Sequence, residues 1–78
     1  MIELITIKNI KDEYVRGLDC NSYPVFTNNI MEIMSFENEY SAEEFLKEYC
    51  FDYGTYEIVN LKLDIKIDET SLKSIECE

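Results

Sequence analysis

The chain has 78 residues, 17 of them acidic against 7 basic, for a formal net charge of −10, and it contains no histidine. That length sets a single domain, and 46% hydrophobic residues remove it from the range of disorder, which pairs low hydrophobicity with high charge. The charge argues against direct binding of nucleic acid or an anionic membrane, and the missing imidazole removes the commonest general base, the His-activated nucleophiles and most zinc sites.

Ile2 to Ile7 is almost continuously apolar and β-branched, which predicts a central strand. Asn9 has N-cap chemistry, Asp12 and Glu13 suit a first turn, and Ile10, Tyr14 and Leu18 recur at helical spacing. A short helix is expected there, with Gly17 as its stop. Pro24 opens a strand over "PVFT"; Asn28 and Asn29 predict a tight turn, and "IMEIMSF" predicts the returning strand to Phe36. Ser41 and Glu44 form a capping box ahead of an apolar stripe of Ala42, Phe45, Leu46, Tyr49, Cys50 and Tyr53, so a helix is expected from Ala42 to Tyr53, packed through Phe45, Leu46 and Tyr49 and stopped by Gly54. Val59, Leu61, Leu63, Ile65 and Ile67 alternate with polar residues, which predicts one strand with a buried face and a wet one. Residues 69–78 read as a polar acidic tail following a domain of residues 1–68.

The order strand, helix, strand, strand, helix, strand is that of a small α+β, ferredoxin-like sandwich. If the first helix fails, the same residues give an antiparallel sheet with one packed helix. Fold alone licenses no function. An RNA-recognition motif would need basic and aromatic residues on its central strands, a metallochaperone paired cysteines, and an acylphosphatase-like enzyme an arginine-bearing anion loop; the sole arginine, Arg16, has no glycine-rich loop around it. Cys20, Cys50 and Cys77 are odd in number and widely spaced, so reduced thiols in a cytoplasmic protein are expected, without metal or cofactor. The opening residues hold no basic n-region and no long apolar run, so neither a secretion signal nor a membrane span is expected. No catalytic constellation emerges, and the chain is read as a non-enzyme.

The charge is uneven. Residues 37–54 carry six acids against Lys47, half the net charge, whereas in residues 55–67 Glu57 and Asp64 balance Lys62 and Lys66. On a helix Glu44, Glu48 and Asp52 would form one row at i, i+4, a spacing that costs about 0.2–0.5 kcal/mol per like-charged pair. A local cost without local benefit points to a partner, although a solvated face is the plainer reading. Phe51 lies off the apolar stripe: it is an aromatic anchor beside the acids if the helix reaches Asp52, and a core residue if the helix ends early. The candidate partner-binding residues are Glu37, Glu39, Tyr40, Glu43, Glu44, Glu48, Phe51 and Asp52.

A basic, nucleic-acid-binding protein is the expected partner, with this chain as its inhibitor and the carboxylate row standing in for phosphates. In size, charge and composition the chain resembles phage-encoded anti-defence proteins, including anti-CRISPR inhibitors that mimic DNA. No motif carries that resemblance, and no residue role follows from it. An immunity protein or antitoxin against a basic toxin, and an oligomeric module paired through a sheet edge, are the alternatives.

Overall fold

The computed structural model describes residues 2–49 and 51–77. The chain runs β1 (Ile2–Lys8), β2 (Tyr14–Leu18), β3 (Pro24–Thr27), a single 3-10 turn (Ile30–Glu32), α1 (Glu39–Glu48), β4 (Gly54–Leu63) and β5 (Ile67–Cys77). The five strands form one sheet in the order β3-β2-β1-β4-β5, with antiparallel neighbours throughout. This is a small α+β domain, and of the two expected arrangements it is the antiparallel sheet with one packed helix.

The first expected helix is a hairpin. Asn9 does the work of a cap, but for a turn: its Oδ1 accepts from the backbone N–H of Lys11 (3.0 Å) and of Glu13 (2.9 Å), and Asp12 takes φ 60°. Ile10, expected on the apolar face, is exposed. A two-turn helix is marginal without such a face, and Tyr14 and Val15 pair instead with Thr27 and Phe26. The expected strand after Asn29 is also altered. Asn29 caps the 3-10 turn through Met31 N–H (3.0 Å), and the chain then extends between β1 and β2. There Met34 N–H donates to Val15 C=O (2.9 Å) and Phe36 N–H to Ile5 C=O (2.8 Å). β1 and β2 pair at the base of their hairpin, Lys8 opposite Tyr14, and this segment fills the wedge beyond it.

The helix begins and ends earlier than its stripe suggested. Asn38, not Ser41, is the N-cap, its Oδ1 accepting from Ser41 N–H at 2.7 Å. After Glu48 the chain turns out of the helix, with Tyr49 N–H still bonded to Phe45 C=O (3.2 Å) and Phe51 N–H to Tyr49 C=O (2.8 Å). Tyr53, expected on the stripe, is therefore exposed, and Cys50 lies outside the described residues. The expected single strand to Ile67 is a hairpin that reverses at Asp64–Lys66, and residues 69–77 are no tail: β5 pairs along the whole of β4 and forms the sheet edge. Cys77 is accordingly half-buried, and burial pushes its thiol pKa up.

α1 packs through Ala42, Phe45 and Leu46 onto Ile7, Val15, Tyr56 and Ile58. Each large apolar side chain buried here contributes roughly 1.5–3 kcal/mol. The opposite face buries Thr6, Val59 and Leu61 completely. On that face Lys8 follows Thr6 along β1, Tyr14 stands across from Lys8, and Glu69 stands across from Leu61. Lys8 Nζ and Tyr14 Oη both donate to the Glu69 carboxylate. Since β1 and β4 separate β2 from β5, a direct Tyr14–Glu69 bond requires the sheet to curl toward this face. Among the described residues, no helix is long and apolar enough to cross a membrane.

Candidate partner-binding groove

The polar surface of α1 divides into two flanks of different electrostatic character. Toward β5, Glu43 receives Lys73 Nζ at 2.9 Å and Lys47 Nζ at 3.5 Å. The hydrogen bond from Lys73 holds the Glu43 carboxyl below its ordinary range, and Glu43 is a tether between helix and sheet.

Toward the 33–36 segment, Tyr40, Ser41, Glu44 and Glu48 border a groove of about 410 Å³ whose apolar lining comes from Met34, Phe36, Phe45 and Tyr49. Tyr40, Glu44 and Glu48 fall at i, i+4, i+8, which puts them on one side of the helix with a rise of about 6 Å per step. Tyr40 is 70% exposed. Among the described residues, neither Glu44 nor Glu48 has a cation within salt-bridge distance. The wedged segment is what makes this groove: by pairing with Ile5 it sets Phe36 against Phe45 at 5.1 Å between ring centres. The groove has the chemistry to hold an apolar side chain on its floor and a cation on its rim.

The other candidate residues are dispersed. Glu37 is exposed ahead of the helix, and Glu39 is half-buried in its first turn. Asp52 does not extend the row of Glu44 and Glu48, because the helix has already ended; its carbonyl accepts from Tyr56 Oη at 3.1 Å, and it borders a separate recess of about 270 Å³ with Asn9, Lys11 and Tyr53. Phe51 is not an outward anchor. Its ring centre lies 5.1 Å from Tyr56, 5.8 Å from Phe45 and 6.0 Å from Phe26, in edge-on packing within the core. The early end of the helix is the physical reason, since it turns Phe51 inward.

Residue types alone gave no sign of the Lys8–Tyr14–Glu69 network. Its members are 55 and 61 positions apart in sequence, and Glu69 fell within the supposed tail. The hydrogen bond to Glu69 is the main cause raising the Lys8 pKa to about 12, and burial, then the same carboxylate, pushes Tyr14 up to about 12. Among the described residues, no three metal-ligating groups converge. No family model, curated protein or solved structure matches the chain.

Proposed function

We propose that this chain is a protein-binding domain, not an enzyme, and that its groove beside α1 engages a basic protein at the surface which that protein uses for nucleic acid. The observation that carries this reading is the pair of uncompensated carboxylates, Glu44 and Glu48, set with exposed Tyr40 along an apolar floor. Glu43 and Glu69, by contrast, are each paired with a lysine of another element. Glu44 and Glu48 lie four apart on the helix, where they repel each other, and a partner's lysine or arginine would relieve that repulsion. The net charge of −10 adds long-range steering toward a basic surface. With Asp52 off the helix the acidic row is shorter than a nucleic-acid strand mimic would use. The reading therefore rests on groove docking combined with charge.

The test is capture of basic nucleic-acid-binding proteins on the immobilised chain, with and without duplex oligonucleotide as competitor, compared with the Glu44→Lys/Glu48→Lys variant. Both sites are exposed, so the variant should fold, which circular dichroism checks. Capture should be displaced by oligonucleotide and abolished by the variant, while the chain itself shows no affinity for the oligonucleotide. A captured catalytic toxin would place the chain in the immunity class. Equal capture by the folded double variant would refute the groove.

A further inference from the structure

We propose that the free end of the β4–β5 hairpin is a self-association surface, through which two copies of this chain pack face to face. The register defines it. Ile2 stands opposite Leu63 on one side, and Leu63 opposite Ile67 on the other, so the three form one row across β1, β4 and β5 with side chains on the same face. Ile65 stands at the middle of the Asp64–Lys66 turn that joins the two strands. Ile2 is 63% exposed, Ile67 52% and Ile65 101%. The next row inward on this face contains the fully buried Leu61, so the patch is the uncovered margin of an interior surface. On the reverse face of the same end stand Glu3, Lys62 and Asp68, with Lys62 Nζ 3.8 Å from Glu3. The end of the sheet is therefore apolar on one side and ionic on the other.

Single exposed apolar residues, such as Ile10 and Met31 here, need no explanation. Adjacent aliphatic side chains rimmed by charges mark an interaction surface. A turn centre is ordinarily polar, and an isoleucine there has nothing of its own chain to pack against.

Charge identifies the occupant. Two copies at −10 each repel over most of their surfaces, yet charges of both signs alternate at this end, where Glu3, Asp64 and Asp68 stand among Lys62 and Lys66 for a net of −1. A second copy approaching at this end meets no concentrated like charge. Asp64 and Lys66 flank Ile65, so a two-fold arrangement sets Lys66 beside the partner's Asp64 and the reverse, the self-complementarity that an isologous contact requires. A basic protein is drawn instead to the acidic flank of α1, and an anionic membrane repels the chain. We place the contact on this face and not along the edge of β5. The register shift opposite Ile58 and Val59 leaves Leu72 as an extra residue in β5, and such a bulge interrupts continuous edge pairing. The patch is smaller than the roughly 800 Å² per partner of a standard interface, so association belongs to the weak, concentration-dependent class.

Sedimentation equilibrium from micromolar to millimolar chain, at low and at high salt, tests this. The weight-average mass should climb from 9.3 kDa toward twice that value. Association should strengthen with salt, because screening removes the net repulsion while the apolar contact persists. Ile65→Asp, at a fully exposed position that folding does not need, should weaken association at least tenfold, and Ile67→Thr should weaken it too; circular dichroism confirms that both variants fold. A wild type that stays monomeric at millimolar concentration overturns the proposal, as does a dimer that neither substitution affects. A wild type that stays monomeric but sediments with neutral phosphatidylcholine vesicles would assign the patch to lipid and overturn it equally.

Discussion

Replacing Phe51 with alanine separates its two sequence readings, interface anchor and core residue. A 78-residue domain has about 4–12 kcal/mol of net stability. Truncating a fully buried phenylalanine costs about 3–5 kcal/mol. Phe51 is half-buried, which reduces the burial term. Its edge-on contacts with Phe26, Phe45 and Tyr56, which belong to that truncation cost, are lost entirely. A loss of about 2–3 kcal/mol follows, and at about 4–8 °C per kcal/mol for a domain of this size the melting temperature should fall by roughly 10–20 °C. Thermal melting followed by near-ultraviolet circular dichroism reads this directly, because the affected rings carry the signal. Phe51→Leu keeps part of the volume but loses the same three ring contacts, so it should cost less than the alanine variant and more than a volume-conserving swap. At low temperature, where the alanine variant stays folded, its dissociation rate from a captured partner should match that of wild type. A melting temperature within about 3 °C of wild type, or a faster dissociation rate in the folded variant, would return Phe51 to the surface and refute the packing argument.

Phe45→Ala should be more severe, at about 3–5 kcal/mol, because Phe45 is only 9% exposed and joins helix to sheet; urea unfolding measures it. The Glu69 network predicts an alkaline effect. Lys8 and Tyr14 have folded-state pKa values raised to about 12 from ordinary values of 10.5 and 10.0, so their stabilisation is complete below pH 10 and is lost as pH rises toward about 12. Glu69→Ala should lower the urea midpoint at neutral pH and flatten its fall between pH 10 and 12; an equally steep fall in wild type and variant would disprove the linkage.

The sequence pattern was reliable where a residue's neighbours along the chain decided its fate. The apolar run of β1, the stripe of Ala42, Phe45 and Leu46, and the alternation through Leu63 all depend on local periodicity, and each forms the expected type of element. Elsewhere long-range pairing outweighed local preference. Asn9 offers the same acceptor to a helix start as to a hairpin loop, and only the partners Thr27 and Phe26 select the strand. The β4–β5 turn uses Asp64, Ile65 and Lys66, with no glycine, proline or asparagine to announce it, so an alternating pattern continues through a chain reversal that brings Ile67 back beside Leu63. Half of the candidate site was legible on the same terms. Tyr40, Glu44 and Glu48 share a flank because helical spacing requires it. The floor under them comes from Met34 and Phe36, whose position depends on a wedge between two strands that periodicity does not encode. Asp52 leaves the row and Phe51 takes the core one of its two readings together, since both depend on where the helix ends.

The two proposed surfaces are compatible because of how the sheet divides them. α1 and its groove lie on the sheet face that carries Ile7 and Ile58, whereas Ile2, Leu63 and Ile67 lie on the opposite face, at the end remote from the Lys8–Tyr14 hairpin base. A dimer built on the hairpin end leaves both grooves open, and a bivalent particle presents Glu44 and Glu48 twice. Linking two sites raises the apparent affinity for a partner with repeated basic surfaces, such as a protein spread along nucleic acid, without any new contact. The two interactions respond oppositely to salt. Steering of a basic partner weakens as the ionic strength rises, while self-association of the acidic chain strengthens. A salt titration of partner binding by wild type and by Ile65→Asp therefore separates them: the wild-type advantage should be greatest at intermediate salt, where dimers form and the groove still attracts, and should vanish at concentrations too low for the dimer. A constant ratio across salt and concentration would show that the groove works alone.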